Sequence, residues 1–338
     1  KTGGGMHGIH PYPAKFIPQI PRTLIALFHE LTGGAVLDPF CGSGTTLVEC
    51  QAAGVQSIGI DLNPIAALIS RVKTHHPGKR IAPEARAIVD RARSALETDI
   101  PPIPALEHWF SHGAIHALAR IRVQLRQMAA GPDLDALRLA LSRIIVRISR
   151  QESDTRYAAV EREISEQQVY EEFIDSAAML DATFTESLGL PFRPRAPARV
   201  LSKNVMTVTY QDIGAPVGMV ICSPPYPNAY EYWLYHKYRM YWLDEDPIAV
   251  RTDEIGARPH YFRKNPATPA DFERQMGQCF ALFDRVLVPR GLVCMVVGRS
   301  IIRGVHIDNA ALLERAAKGV GFTLSARADR TIPKVKKS

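Results

Sequence analysis

The stretch AVLDPFCGSGTTLVECQAAG, residues 35–54, limits the fold of this chain more than any other. A short apolar run closes on Asp38, a turn of small residues carrying Gly42 and Gly44 follows, and a helix-forming segment then stops at Gly54. Directly behind it, SIGIDLNP (57–64) repeats the arrangement: an apolar run ends in Asp61, and Pro64 suits the first turn of a helix. Strand–helix units in tandem bring each return strand parallel to the one before it, so the sequence predicts an α/β chain with a doubly wound, mostly parallel sheet. Three later apolar runs bring the expected strands to at least five: NVMTVTYQDI (204–213) with Asp212 near its end, GMVICSPPY (218–226), and RGLVCMVVGRS (290–300).

The pattern changes between residues 76 and 199. Helices are expected at 83–97, 114–128, 134–150 and 160–188, with no strong strand among them. Proline-rich joints, PPIP (101–104) and PFRPRAP (191–197), cannot continue helices and suit linkers. The organisation expected is a core of residues 1–75 and 200–338 around a helical insertion, 76–199. The glycine-rich start and the lysine-rich KVKKS end read as frayed termini.

Composition excludes several classes. With 46% hydrophobic residues over 338, the chain has ample material for a core. No apolar run reaches the ~18 residues of a membrane span, and nothing at the start resembles a signal peptide, so the expected setting is the cytoplasm. The five cysteines form no CxxC pair and several sit in apolar strand-like runs, which argues against a disulfide framework or a metal site. A formal charge of +7 is compatible with a polyanionic partner.

Glycines in a turn at the carboxyl end of a strand let the backbone approach a ligand closely. The spacing is not that of a dinucleotide fingerprint, whose third glycine would fall at Leu47, and the GK[ST] of a phosphate-binding loop is absent. Asp61 is placed to accept hydrogen bonds from ribose hydroxyls, which any adenosine-bearing cofactor offers.

DPFCGSGTT (38–46) together with SPPY (223–226) resembles the S-adenosylmethionine-dependent amino-methyltransferases that modify adenine N6 or cytosine N4 in DNA. A third segment, HPYPAKF (10–16), looks like the part of those enzymes that covers the methionine end of the cofactor. The resemblance implies a Rossmann-like methyltransferase sheet, S-adenosyl-L-methionine as cofactor and DNA as partner. It implies cofactor-binding roles for Lys15, Phe16, Asp38, Pro39, Phe40, Gly42, Gly44, Thr45, Asp61 and Asp212, and a catalytic role for Ser223, Pro224, Pro225 and Tyr226. Serine in the first place of the tetrapeptide is the form more associated with cytosine N4. The order of the motifs excludes the permuted subgroup in which the tetrapeptide comes first. A restriction or defence-system partner is implied by the family alone.

The tetrapeptide suits the chemistry. An exocyclic amino nitrogen is a poor nucleophile because its lone pair is delocalised, and acceptors for its N–H groups help it become pyramidal. The Ser223 hydroxyl and Pro224 carbonyl are candidate acceptors, held by prolines whose φ is fixed, and Tyr226 can stack on the base. A base in a duplex must be flipped out, at a few kcal/mol. No covalent enzyme intermediate is needed, and Cys222 lacks the proline–cysteine arrangement of a cytosine C5 enzyme. Arg143, Arg147 and Arg150 on one helical face, with Arg156, are candidate DNA contacts. So are Tyr230, Lys237 and Arg239 in the aromatic run after the tetrapeptide. The insertion is the better candidate for target recognition, although it precedes the third strand, unlike the usual layout. Adenine N6, an RNA amino-methyltransferase and a catalytically retired nucleic-acid-binding subunit remain the alternatives.

Overall fold

A computed structural model describes residues 4–154, 156–188, 196–228 and 231–330. At its centre stand five strands: β1 (Ala35–Asp38), β2 (Ser57–Asp61), β3 (Ala198–Ser202), β4 (Val217–Cys222) and β5 (Leu287–Met295). Their order across the sheet is β3-β2-β1-β4-β5 and every pairing is parallel. All five therefore end at one edge of the sheet. That edge carries Asp38, Asp61, the residues after Ser202, Ser223 and Val296.

Alternation along the strands divides the core in two, because successive side chains point to opposite faces. Ala35 and Leu37 pack with the helices Pro269–Val286 and Asn309–Lys318, whereas Val36 packs with Ile25 of the helix Gln19–Thr32 and with Cys50. In β4 the phase breaks. Val217 shares a face with Val220 and Cys222 instead of with Met219 and Ile221, since the pairing slips between Val217 and Met219 and the extra residue turns the chain over. The helix Pro269–Val286 opens on a capping box between Thr268 and Asp271 and buries Phe272, Met276, Cys279, Phe280 and Phe283, a stripe at helical spacing.

One strand lies elsewhere than the sequence predicted. The third strand is the short ARVLS, 198–202, and the run 204–213 instead forms turns and the four-residue helix Tyr210–Ile213. Asp212 closes the capping box of that helix on Thr209 and pairs with Lys203 (2.5 Å). The alternating run 204–210 carries two β-branched valines and two threonines, which mimics a strand, but Asn204 and Thr209 bind neighbouring backbone N–H groups and divert it into caps.

Residues 76–199 are mainly helical, with Ala82–Ser94, His112–Arg126, Pro132–Ile144 and Glu166–Leu188 as the long helices. An unpredicted antiparallel hairpin joins Gln151–Ser153 to Arg156–Ala159, between the helices expected at 134–150 and 160–188. The apolar core of this region is continuous with Ile65, Leu68, Ile69 and Val72 of the helix Pro64–Thr74 and with Trp233, Tyr238 and Trp242 of the helix Tyr232–Trp242. The insertion is welded to the flank of the sheet.

Candidate active site

A cavity opens at the carboxyl edge of the sheet. Its lining includes Lys15, Phe16, Asp38, Pro39, Phe40, Gly42, Thr45 and Asp61 on one side and the whole tetrapeptide Ser223–Tyr226 on the other. Residues about 185 positions apart, such as Asp38 and Ser223, meet because β1 and β4 are neighbours in the sheet and both turns leave from the same edge.

The glycine turn is held from below and from the side. Asp61 accepts from Gly42 N–H with one oxygen (2.8 Å) and from Asn63 N–H with the other (2.8 Å). Gly44 does not line the cavity. It adopts φ +75°, and a Cβ there would lie 2.7 Å from Ser70 Oγ and 3.0 Å from its Cα, so glycine is required for the turn to close on the helix Pro64–Thr74. Buried Lys73, on that helix, donates to the Ser43 carbonyl (2.6 Å). Lys15 is committed to two carbonyls, those of His7 (3.0 Å) and His10 (2.9 Å), which folds the N-terminal segment over the cavity.

Burial raises the acids of this wall: Asp38 to about 7 and Asp61 to about 6, the two N–H bonds on Asp61 pulling the other way. Neither forms an ion pair among the described residues. Buried acids without an ion-pair partner among the described residues, Lys15 and Lys73 being committed to backbone carbonyls, fit a ligand that carries positive charge and ribose hydroxyls. The sulfonium and ribose of S-adenosylmethionine answer both, with Asp38 and Asp61 as the residues that would hold it.

The tetrapeptide wall is of another kind. Ser223 Oγ and Tyr226 Oη stand 2.9 Å apart, and each donates to the Val296 carbonyl (3.1 Å). That carbonyl is in place because β5 runs beside β4, with Val296 N–H donating to the Cys222 carbonyl (3.0 Å). With both hydroxyl protons directed to one carbonyl, lone pairs on Ser223 Oγ stay free to accept. The ring of Tyr226 rests against Gly298, where a Cβ would come within 3.0 Å of it.

Several lining residues were not foreseen. Tyr12 stacks on Tyr232 (5.8 Å) and on His236 (5.2 Å) and closes the cavity near Gly42. Asn204 and Val205, just past β3, occupy the place assigned to Asp212, which lies outside the lining. Glu254 is buried and accepts from Tyr232 N–H (2.9 Å) and Trp233 N–H (3.2 Å), anchoring the start of that helix; burial pushes its carboxyl up to about 8. Tyr12 stands inside the HPYPAKF motif and could have been picked out as an aromatic, whereas Glu254, in an ordinary polar stretch, gives no local signal.

Comparison with known proteins adds the following. Residues 1–71 match the family model described as DNA methylase, of the N6/N4 methyltransferase type. Over 68 residues, 20% of this chain and 13% of the relative, the sequence is 52% identical to the type II methyltransferase M.MjaII of Methanocaldococcus jannaschii. Over 188 residues, 50% of this chain and 40% of the relative, it is 29% identical to the type II methyltransferase M.MvaI of Kocuria varians. The N-terminal 71 residues are similar to the N6/N4 DNA methylase family, and the similarity to the curated methyltransferases covers from a fifth to half of the chain. It spans less than half the length of these curated relatives. A tRNA (guanine(10)-N2)-dimethyltransferase of Methanothermobacter thermautotrophicus is 32% identical over 95 residues, 27% of this chain and 28% of the relative.

The arginines expected to meet DNA are largely occupied within the fold. Arg147 pairs with Glu172 (2.8 Å), Arg150 with Glu163 (3.1 Å) and Arg156 with Glu152 (2.7 Å). Arg143 is partly buried and donates to Ser176 Oγ (3.2 Å). Arg239 is 1% exposed and donates to the Ser142 carbonyl, the Tyr235 carbonyl and Asp154, so its guanidinium ties two helices together and is not presented to a partner. Lys237 lies over the rings of Tyr157 and Tyr238. Tyr230 lies outside the described residues. Among the described residues no helix is long and apolar enough to cross a membrane.

Proposed function

We propose that this chain transfers a methyl group from S-adenosylmethionine to the exocyclic amino nitrogen of a base in DNA, with cytosine N4 as the target. The observation that carries the reading is the meeting of the two walls in one cavity, the acid wall of Asp38 and Asp61 opposite the hydroxyl and carbonyl acceptors of the tetrapeptide. When bound, the cofactor supplies an electrophilic methyl group on a cationic sulfur. The chain's own residues then have three tasks. Asp38 and Asp61 hold the cation and the ribose. Ser223 Oγ and the Pro224 carbonyl accept the two amino N–H groups, which withdraws the nitrogen lone pair from the ring. Positioning supplies the remainder of the rate, since methyl transfer needs only in-line approach. The serine in first place of the tetrapeptide supports cytosine over adenine.

Incubation with labelled S-adenosylmethionine and unmethylated duplex DNA, structured RNA or no acceptor, followed by nucleoside analysis, tests the reading. N4-methylcytosine is expected. N6-methyladenine would keep the mechanism and change the base. The tRNA-modifying relative gives a second reading its specific support, and label appearing only in RNA would establish it in place of the first.

A further inference from the structure

Six cations lie on the segments that adjoin the lining residues Val250 and Asp253–Ile255 and Gly298 behind Tyr226, and none forms an ion pair among the described residues: Arg251, Arg258, Arg263, Lys264, Arg299 and Arg303. All six are exposed. Their intramolecular engagements are with rings and carbonyls. Arg251 lies over Trp233 (5.1 Å), Arg258 and Arg303 share the ring of Phe262 (5.4 and 6.0 Å), and Arg303 donates to the Tyr261 carbonyl (3.2 Å). An arginine stacked on a ring keeps most of its N–H donors outward.

The same strip exposes apolar side chains among the charges: Phe262 is 48% exposed and Ile301, on the hairpin Ser300–Ile302/Val305–Ile307, is 50% exposed. It is also joined directly to the tetrapeptide. Asn228, two residues past Tyr226, donates its side-chain N–H to the Ile301 carbonyl (2.6 Å) and its backbone N–H to the Gly256 carbonyl (2.9 Å), while Gly298 backs the Tyr226 ring. The segment also carries Asp253, exposed at the cavity, and buried Glu254, but neither pairs with the six cations among the described residues. Cations without ion-pair partners, apolar groups beside them and a rigid connection to the reacting serine are what a surface needs to grip a phosphate backbone and present one base to the cavity. In the insertion, by contrast, the exposed arginines Arg147 and Arg156 already have carboxylate partners.

We infer that the strip formed by residues 251–264 and the hairpin 300–307 is the duplex-DNA-binding face. Its arginines and Lys264 take the phosphates, and Phe262 and Ile301 meet the sugars and bases beside the flipped nucleotide. The inference rests on the function proposed above and assigns its substrate contacts to a region not previously marked in the sequence.

The test is duplex binding by fluorescence anisotropy over a range of salt, using full-length protein and S-adenosylhomocysteine. The double variant Lys264→Ala/Arg299→Ala removes side chains that make no hydrogen bond among the described residues, so the fold is undisturbed; Arg258→Ala/Arg303→Ala is the second. Each is expected to lower the slope of log affinity against log salt by about 2 and to raise KM for DNA with kcat kept. Arg147→Ala/Arg156→Ala is expected to leave the slope alone. An unchanged slope in both strip variants, or an equal fall in the insertion variant, overturns the assignment while leaving the methyltransferase reading intact. A wild-type protein that binds structured RNA and no duplex DNA overturns that reading and this one together.

Discussion

The two walls of the cavity are made by different means. On the cofactor side, Asp38, Gly42 and Asp61 come from one continuous stretch, and the bonds that fix their turn span about thirty residues or fewer, as from Asp61 to Gly42 and from Lys73 to Ser43. On the base side, Ser223 and Tyr226 are set by the carbonyl of Val296, about seventy residues further along the chain. The first wall is charged and strained by burial, the second is neutral and poised by hydrogen bonds. In the function proposed, a charged ligand is held by one, and a neutral reacting group is oriented by the other. The division predicts that damage to the base wall appears in kcat and damage to the cofactor wall in cofactor affinity.

The largest effect is expected for Ser223→Ala. Loss of one preorganised acceptor lowers kcat by about 100- to 1000-fold, with cofactor affinity unchanged by calorimetry; a parallel loss of cofactor binding would erase the distinction between the walls. Next is Asp61→Asn, which removes the charge and one acceptor of the glycine turn and weakens cofactor binding by roughly 10- to 100-fold, as expected for a hydrogen bond to a charged group. Because Asp61 and Asp38 ionise near 6 and 7, wild-type cofactor affinity is expected to rise from pH 5 to pH 8 and that of the variant to rise less. Titration at constant ionic strength measures this.

Tyr226→Phe is a smaller lesion, about 3- to 10-fold in kcat, the value of one neutral hydrogen bond, since Ser223 keeps the Val296 carbonyl. Stability gives the mildest test. Asp38 is raised in the folded protein from an ordinary value of 3.8 to about 7, so between these limits the folded state holds a proton that the unfolded chain has released. Its contribution is present below pH 4 and is lost as the pH rises toward 7. Melting curves of Asp38→Asn should therefore fall less steeply over that window than those of the wild type; parallel curves would show that the acid is not buried in solution.

Legibility in the sequence followed the same divide. β1, β2, β4 and β5 announced themselves as apolar runs, and β3 did not, because ARVLS carries Arg199 and is partly exposed at the sheet edge. The run after it had the better pattern and became caps. Motif residues fell into the cavity, except Gly44, which serves packing, and Asp212, which serves a cap. The arginines show the limit most clearly. Spacing placed Arg143, Arg147 and Arg150 on one face, but no spacing reveals that Glu172 and Glu163 neutralise two of them.

What the sequence determined by itself was the order of strand, glycine turn and acid, and with it the resemblance to the DNA methylases and the place of the acid wall, because those bonds close over short distances. The tertiary structure decided what crosses the fold: the Val296 carbonyl behind Ser223, Glu254 under the helix at 232, and the strip of cations that have no ion-pair partner among the described residues. Those depend on which strand lies next to which and on which charges find partners. Burial and pairing are properties of the packed chain, and a residue's neighbours in sequence do not reveal them.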